Sequence, residues 1–154
     1  MCPWTKMREQ GGVMSLHTFQ KIIPYLRLTK SVDFTGGGEP LTNPDLLYMI
    51  EQAKSASCEV GFSTNCVRLL PDVSKKLIEL GLDWISFSVD AATPEKYERI
   101  RQGAKFETIT TNIVALRDLK RTLNRQEPRM MMVFVALGGE SDVRNYHELP
   151  DYID

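Results

Sequence analysis

The stretch VDFTGGGEPL, residues 32–41, sets a short apolar run against three glycines, a glutamate and a proline. Glycine has no Cβ, so a ligand can come close to its backbone groups. Pro40 biases Glu39 towards an extended conformation and thereby directs its side chain. Bare carbonyls beside one carboxylate suit a cation or a polar donor such as an ammonium group. They suit phosphate poorly. Phosphate loops use N–H donors and a lysine, and this stretch has neither a GK[ST] ending nor GxGxxG spacing. Taken alone, the glycine run reads as a flexible turn more often than as a site, so its meaning depends on its place in the fold.

On either side, short apolar runs alternate with amphipathic segments. SVDFTG (31–36), CEVGFST (58–64), WISFSVD (84–90) and MMMVFVAL (130–137) read as buried strands. Between them, apolar residues recur at helical spacing: Leu16, Phe19, Ile23 and Leu26; Leu47, Ile50 and Ala53; Val73, Leu77 and Leu80; Ile109, Ile113, Leu116 and Leu123. Asn43-Pro44 and Thr93-Pro94 each pair a capping residue with a proline suited to the first helical position. Gly81 stands where a C-terminal glycine belongs, and NYHELPDYI (145–153) begins a further helix. Regular alternation predicts an α/β fold with a parallel sheet, barrel-like or open. The chain opens on a polar loop and a helix and ends inside a helix. The expectation is one domain over 1–154, a partial (β/α) barrel of four strands, incomplete at both ends.

Composition sets the outer limits. The 154 residues carry a net charge of -1, with 42% hydrophobic and 25% charged residues, as in an ordinary soluble domain. No clustered basic excess marks a nucleic-acid partner. RDLKRTLNR (117–125) reads as the solvated face of a helix. No stretch reaches the roughly 20 apolar residues of a membrane span, and the N-terminus lacks the apolar centre of a signal peptide. A cytoplasmic location is expected. Cysteines stand at 2, 58 and 66 without CxxC spacing, which suggests neither a disulfide framework nor a self-contained zinc site.

Parallel α/β proteins bind ligands at the C-terminal ends of their strands. Three of these ends are bare or polar: Gly36-Gly37-Gly38-Glu39-Pro40, Ser63-Thr64-Asn65, and Ser88 with Asp90. Hydroxyl, amide and carboxylate groups there could hydrogen-bond the hydroxyls of a ribose. Each has an ordinary alternative, such as a loop at 63–65 or helix capping by Asp90. Their meeting at one sheet edge implies an amino-acid-like ammonium joined to a nucleoside or polyol.

At these residues the sequence resembles the radical S-adenosylmethionine (radical SAM) superfamily. CPW at 2–4 is similar to the last cysteine of the CxxxCxxC cluster loop, and Gly37, Gly38, Glu39 and Pro40 match the GGEP motif. STN at 63–65 resembles the motif usually written STNG. WISFSVDAATPEKYERIRQGAKFETITTNIVAL (84–116) resembles the SxD strand end and its continuation, and VRNYHELPDYI (143–153) the fifth helix region. The resemblance implies a partial barrel holding a [4Fe–4S] cluster, with three cysteine ligands and the fourth iron chelated by the amino and carboxylate groups of S-adenosylmethionine. It implies electron transfer into the sulfonium, from a donor such as a flavodoxin or ferredoxin. A 5′-deoxyadenosyl radical then abstracts hydrogen from a small-molecule or peptide substrate. It places the methionyl ammonium on Gly37 to Pro40. Ser63, Asn65, Ser88 and Asp90 face the ribose or methionyl carboxylate, Arg101 is a further candidate for the carboxylate, and Cys2 is a cluster ligand. Arg101 has an alternative in a pair with Glu98 or another nearby acid.

The first two cysteines of the cluster loop are not in this sequence, and Cys66 replaces the usual glycine after STN. Cys58 and Cys66 have the wrong spacing to substitute for them. The expectation is that this chain alone assembles no full cluster. A cluster-free fragment that binds a partner through its sheet edge is therefore the competing expectation. A lysine Schiff-base lyase is disfavoured, because no predicted strand end carries a lysine. CPW and the YERIRQGAKFETITTNI style resemble members with a SPASM-type C-terminal domain. Met130 to Met132 are read as core packing, Trp4 as packing, Gly138-Gly139 as a turn, and His17 and His147 as surface residues.

Overall fold

A computed structural model describes residues 12–134. Four strands form one parallel sheet in the order β1-β2-β3-β4: β1 Ser31–Asp33, β2 Glu59–Thr64, β3 Trp84–Ser88 and β4 Arg129–Val133. The helices are α1 Leu16–Gln20, α2 Leu46–Ser55, α3 Pro71–Glu79, α4 Pro94–Ile100 and α5 Phe106–Thr122. Strands in sequential order are joined by crossovers that carry helices, and among the described residues the helices pack on one face and leave the other face bare. The parallel sheet is what the alternation predicts, and the arrangement is consistent with the expected partial (β/α) barrel.

The two faces differ in chemistry because side chains alternate along a strand. Val60, Phe62, Ile85 and Phe87 point one way and are buried in a core shared with Met49, Ile50, Ala53, Leu77, Ile109 and Leu116. Gly61, Ser63, Trp84, Ser86 and Ser88 point the other way, onto the bare face. Register sets Gly61 beside Trp84 and Trp84 beside Arg129, with Ser63 beside Ser86 and Ser86 beside Met131 one layer higher. Low on this face the indole of Trp84 lies on Gly61, where a Cβ would overlap three ring atoms. An ion pair from Arg129 to Glu59 spans from β4 to β2 nearby.

Several local expectations change. The helix read through Leu16, Phe19, Ile23 and Leu26 is broken into α1 and a 3-10 turn, Ile23–Leu28. Pro24 removes an N–H and clashes with the carbonyl one turn back, yet Phe19 and Leu26 remain buried. Asn43-Pro44 does not start α2. Asn43 Oδ1 accepts from Asp45 N at 3.0 Å, and the helix begins at Leu46. Thr93-Pro94 does start α4, although the Thr93 hydroxyl makes no capping bond. Gly81 follows α3 with φ +71°, a backbone conformation that favours glycine. Leu123 is exposed just past α5 instead of continuing its apolar face. Strand β4 alternates rather than being buried throughout. Met130 and Met132 pack against the core, while Met131 is 46% exposed on the bare face. Residues 135–137 of the expected fourth strand and the helix at 145–153 lie outside the described residues.

Candidate functional site

The loop after β1 carries Gly36, Gly37 and Gly38, all exposed. None has a positive φ, and a Cβ on any of them would meet nothing within 4 Å among the described residues. Neither a positive φ nor crowding by the described residues requires glycine here. The missing side chains leave open space beside the backbone, at the mouth where parallel strands end.

Glu39 closes this loop, and its carboxylate is taken up by its own chain. Oε1 accepts from the Thr64 hydroxyl at 2.7 Å and from Leu41 N at 3.2 Å, and Oε2 accepts from Asn65 N at 2.7 Å. The loop after β1 is thus bonded to the end of β2. Ser63 N donates to Thr35 Oγ1 at 2.9 Å, which extends that join. On the bare face Ser63 Oγ and Ser86 Oγ are 2.7 Å apart, and Ser88 lies two residues further towards the mouth. Asn65 Oδ1 accepts from Val67 N at 3.0 Å, so its amide NH2 is left as the donor.

At the end of β3 the chain turns through Asp90, with φ +60° and a fully shielded side chain. Its Oδ2 accepts from Arg101 Nε at 2.7 Å, and Arg101 Nη2 contacts the same oxygen. Arg101 is therefore paired with a buried acid, while Glu98 is held by Lys105 at 2.7 Å. That bond to Lys105 pulls the Glu98 carboxyl below the usual carboxylate range. A guanidinium has five N–H donors. Those of Arg101 not turned to Asp90 have no partner among the described residues, and the side chain is 29% exposed.

Cys66, Asn112 and Tyr97, none of them among the expected site residues, lie close to these strand ends. Cys66 is buried with φ +65°, which gives a physical reason for a glycine in the motif at this place. Burial pushes its thiol up, Glu39 adds to the effect and Arg101 partly opposes it. A thiol held protonated is a poor nucleophile and a poor metal ligand. Asn112 on α5 donates to Cys66 O at 2.9 Å and to Val67 O at 3.4 Å. Its position was visible in the sequence as a polar residue beside Ile113 on the apolar face of α5. Tyr97 is buried with no hydrogen-bond partner for its hydroxyl among the described residues, and burial raises its phenol.

The Radical SAM superfamily model matches residues 1–143. The chain belongs to the radical SAM superfamily. It is 32% identical over 112 residues to a probable GTP 3′,8-cyclase of Methanococcus maripaludis, covering 68% of this chain and 36% of that protein. It is 36% identical over 107 residues to the mycofactocin maturase MftC of Mycobacterium tuberculosis, covering 69% of this chain and 27% of that protein. With the AdoMet-dependent heme synthase of Methanosarcina barkeri it shares 33% identity over 89 residues, or 57% of this chain and 26% of that protein. The chain thus spans roughly a third or less of the length of these relatives. Radical SAM enzymes use a [4Fe–4S] cluster and S-adenosylmethionine.

The described residues fit the S-adenosylmethionine half of this cofactor pair. The open space beside Gly36 to Gly38 admits a ligand to the carbonyls. The Asn65 amide, the serine hydroxyls and Arg101 offer donors to ribose and carboxylate oxygens. The cluster half is different. Among the described residues no group of His, Cys, Asp and Glu could hold a metal. Cys58 is buried and donates to Leu26 O at 3.3 Å, so it serves the core. Cys2, Trp4, Gly138, Gly139 and His147 lie outside the described residues, and His17 is exposed on α1.

Proposed function

We propose that residues 1–154 are core-barrel residues of a radical SAM enzyme that binds a [4Fe–4S] cluster and S-adenosylmethionine and abstracts hydrogen from its substrate. The open space beside Gly36, Gly37 and Gly38 carries this proposal, because nothing among the described residues explains three glycines there. When bound, the cluster and S-adenosylmethionine supply one-electron cleavage of a sulfonium, chemistry that no side chain provides.

The chain's own residues bind and orient. Carbonyls of the loop at 37–40 receive the methionyl ammonium. The NH2 of Asn65 and the hydroxyls of Ser63 and Ser88 face ribose and carboxylate oxygens. Arg101, fixed by Asp90, offers its remaining N–H groups to the carboxylate. Cys2 is assigned to the cluster by its motif. The bare face below, with Ser86, Met131 and Trp84, lines the chamber for the substrate. The matched relatives are named for a cyclase, a maturase and a heme synthase, so the substrate class is given only as a small molecule or peptide. The electron donor is of the flavodoxin or ferredoxin kind. No helix among the described residues is long and apolar enough to cross a membrane, and we place the enzyme in the cytoplasm.

The test is anaerobic reconstitution of the natural protein with iron and sulfide, then reduction in the presence of S-adenosylmethionine. A brown protein that forms 5′-deoxyadenosine is expected. A protein that binds iron and sulfide fully but neither binds nor cleaves S-adenosylmethionine would overturn the proposal.

A further inference from the structure

The motif carboxylate is the group that the sequence aims most directly at an ammonium, yet it already accepts three hydrogen bonds from the protein. Its partners form a connected set. The Thr64 hydroxyl donates to Glu39 at 2.7 Å and accepts from Cys66 N at 3.0 Å, so both its capacities are used. Glu39 Oε2 holds Asn65 N at 2.7 Å. From the other side Asn112 holds the carbonyls of Cys66 and Val67. The turn gripped in this way contains Cys66 at φ +65°, a conformation that non-glycine residues adopt only when their surroundings impose it. Thr64 and Asn112 are 1% and 7% exposed, so a ligand in the mouth does not reach them.

We propose that Glu39 is a positioning residue and not the ammonium ligand. With Thr64 and Asn112 it clamps the turn at 65–67, so that the Asn65 amide is presented in a fixed direction to the nucleoside half of the cofactor. This deepens the S-adenosylmethionine assignment and rests on it. A carboxylate that touched the ammonium would matter only for ligands that carry one. A clamp matters for any ligand that uses Asn65.

The experiment compares two probes on the cluster-loaded natural protein by anaerobic equilibrium dialysis: S-adenosylmethionine, and 5′-deoxyadenosine, which has no ammonium. Thr64→Val, which is nearly isosteric, is expected to weaken both by about tenfold, the scale of one lost hydrogen bond to a charged group. Thr64→Ser keeps the hydroxyl and is expected to restore both. Glu39→Gln sets an NH2 against N–H or O–H donors and is expected to weaken both together. Should Thr64→Val fail to fold, Glu39→Gln carries the same comparison. The clamp is overturned if Glu39→Gln weakens S-adenosylmethionine alone, or if affinities for both probes are unchanged. If the wild-type protein binds no S-adenosylmethionine, the assignment of the site falls first and the clamp with it.

Discussion

Gly61 lies on β2 and the run Gly36 to Gly38 in the loop that follows its neighbour β1, yet glycine answers different demands in each. At Gly61 the demand is internal. Trp84 lies across the residue on the bare face, and a side chain would occupy the same space as the indole. At Gly36 to Gly38 the described residues make no such demand, since φ is not positive and none of them would touch a Cβ. The same division separates the polar groups. Glu39 and Asp90 are committed to partners inside the chain, while the Asn65 amide NH2 and part of the Arg101 guanidinium have no partner among the described residues. A site assembled from motif residues therefore has two populations, one that builds the mouth and one left over for what enters it.

The largest effect on stability is expected where the internal demand is strongest. Gly61→Ala should destabilise the full-length protein by about 3 kcal/mol, at the upper end for overpacking a rigid contact. Trp84→Ala removes the ring at a cost of the same order. The double variant should be no less stable than Trp84→Ala alone, because the clash is gone. Denaturant unfolding of the four proteins reads this directly. Additive losses, or a Gly61→Ala protein as stable as wild type, would show that Gly61 does not answer to Trp84.

A smaller effect separates strain from packing at Cys66. Alanine ordinarily outranks glycine by about 0.5–1 kcal/mol through backbone entropy. At φ +65° the order should reverse, because a Cβ there costs about 2 kcal/mol. Cys66→Gly is expected to be more stable than Cys66→Ala by about 1 kcal/mol, both having lost the buried sulfur. The opposite order in thermal unfolding would mean that the clamp around the turn does not enforce this conformation.

The alternation of short apolar runs and amphipathic segments was enough to predict a parallel α/β sheet, barrel-like or open, since that depends only on periodicity. It could not show that Pro24 divides the first helix, although the proline was in view, because Phe19 and Leu26 keep an apolar spacing across the break. It also could not show that Met131 faces away from the core, since three methionines in a row carry no alternation. The site was legible as a set of places. Glycines, STN and SxD do gather at the strand ends. The partners were not legible, because they join residues far apart in sequence. Glu39 meets Asn65 across 26 positions, and Asn112 meets Cys66 across 46. Thr64 could have been suspected from its parity, as a hydroxyl on the buried face of β2.

The smallest stability effect is the most informative about the ligand. Gly37→Ala and Gly38→Ala add a Cβ that meets none of the described residues, at φ values that are not positive. Thermal unfolding should place both within about 0.5 kcal/mol of wild type, as for surface substitutions away from special features. A methyl group beside the carbonyls nonetheless takes space that a bound methionyl ammonium would use. S-adenosylmethionine affinity of the cluster-loaded protein should fall by about tenfold or more, the equivalent of 1.4 kcal/mol. The two measurements together separate the demands. A large stability loss would assign these glycines to the fold, as at Gly61. Unchanged stability with unchanged affinity, repeated with Gly37→Val, would mean that nothing approaches this backbone. Unchanged stability with lost affinity is what glycines kept for a ligand require.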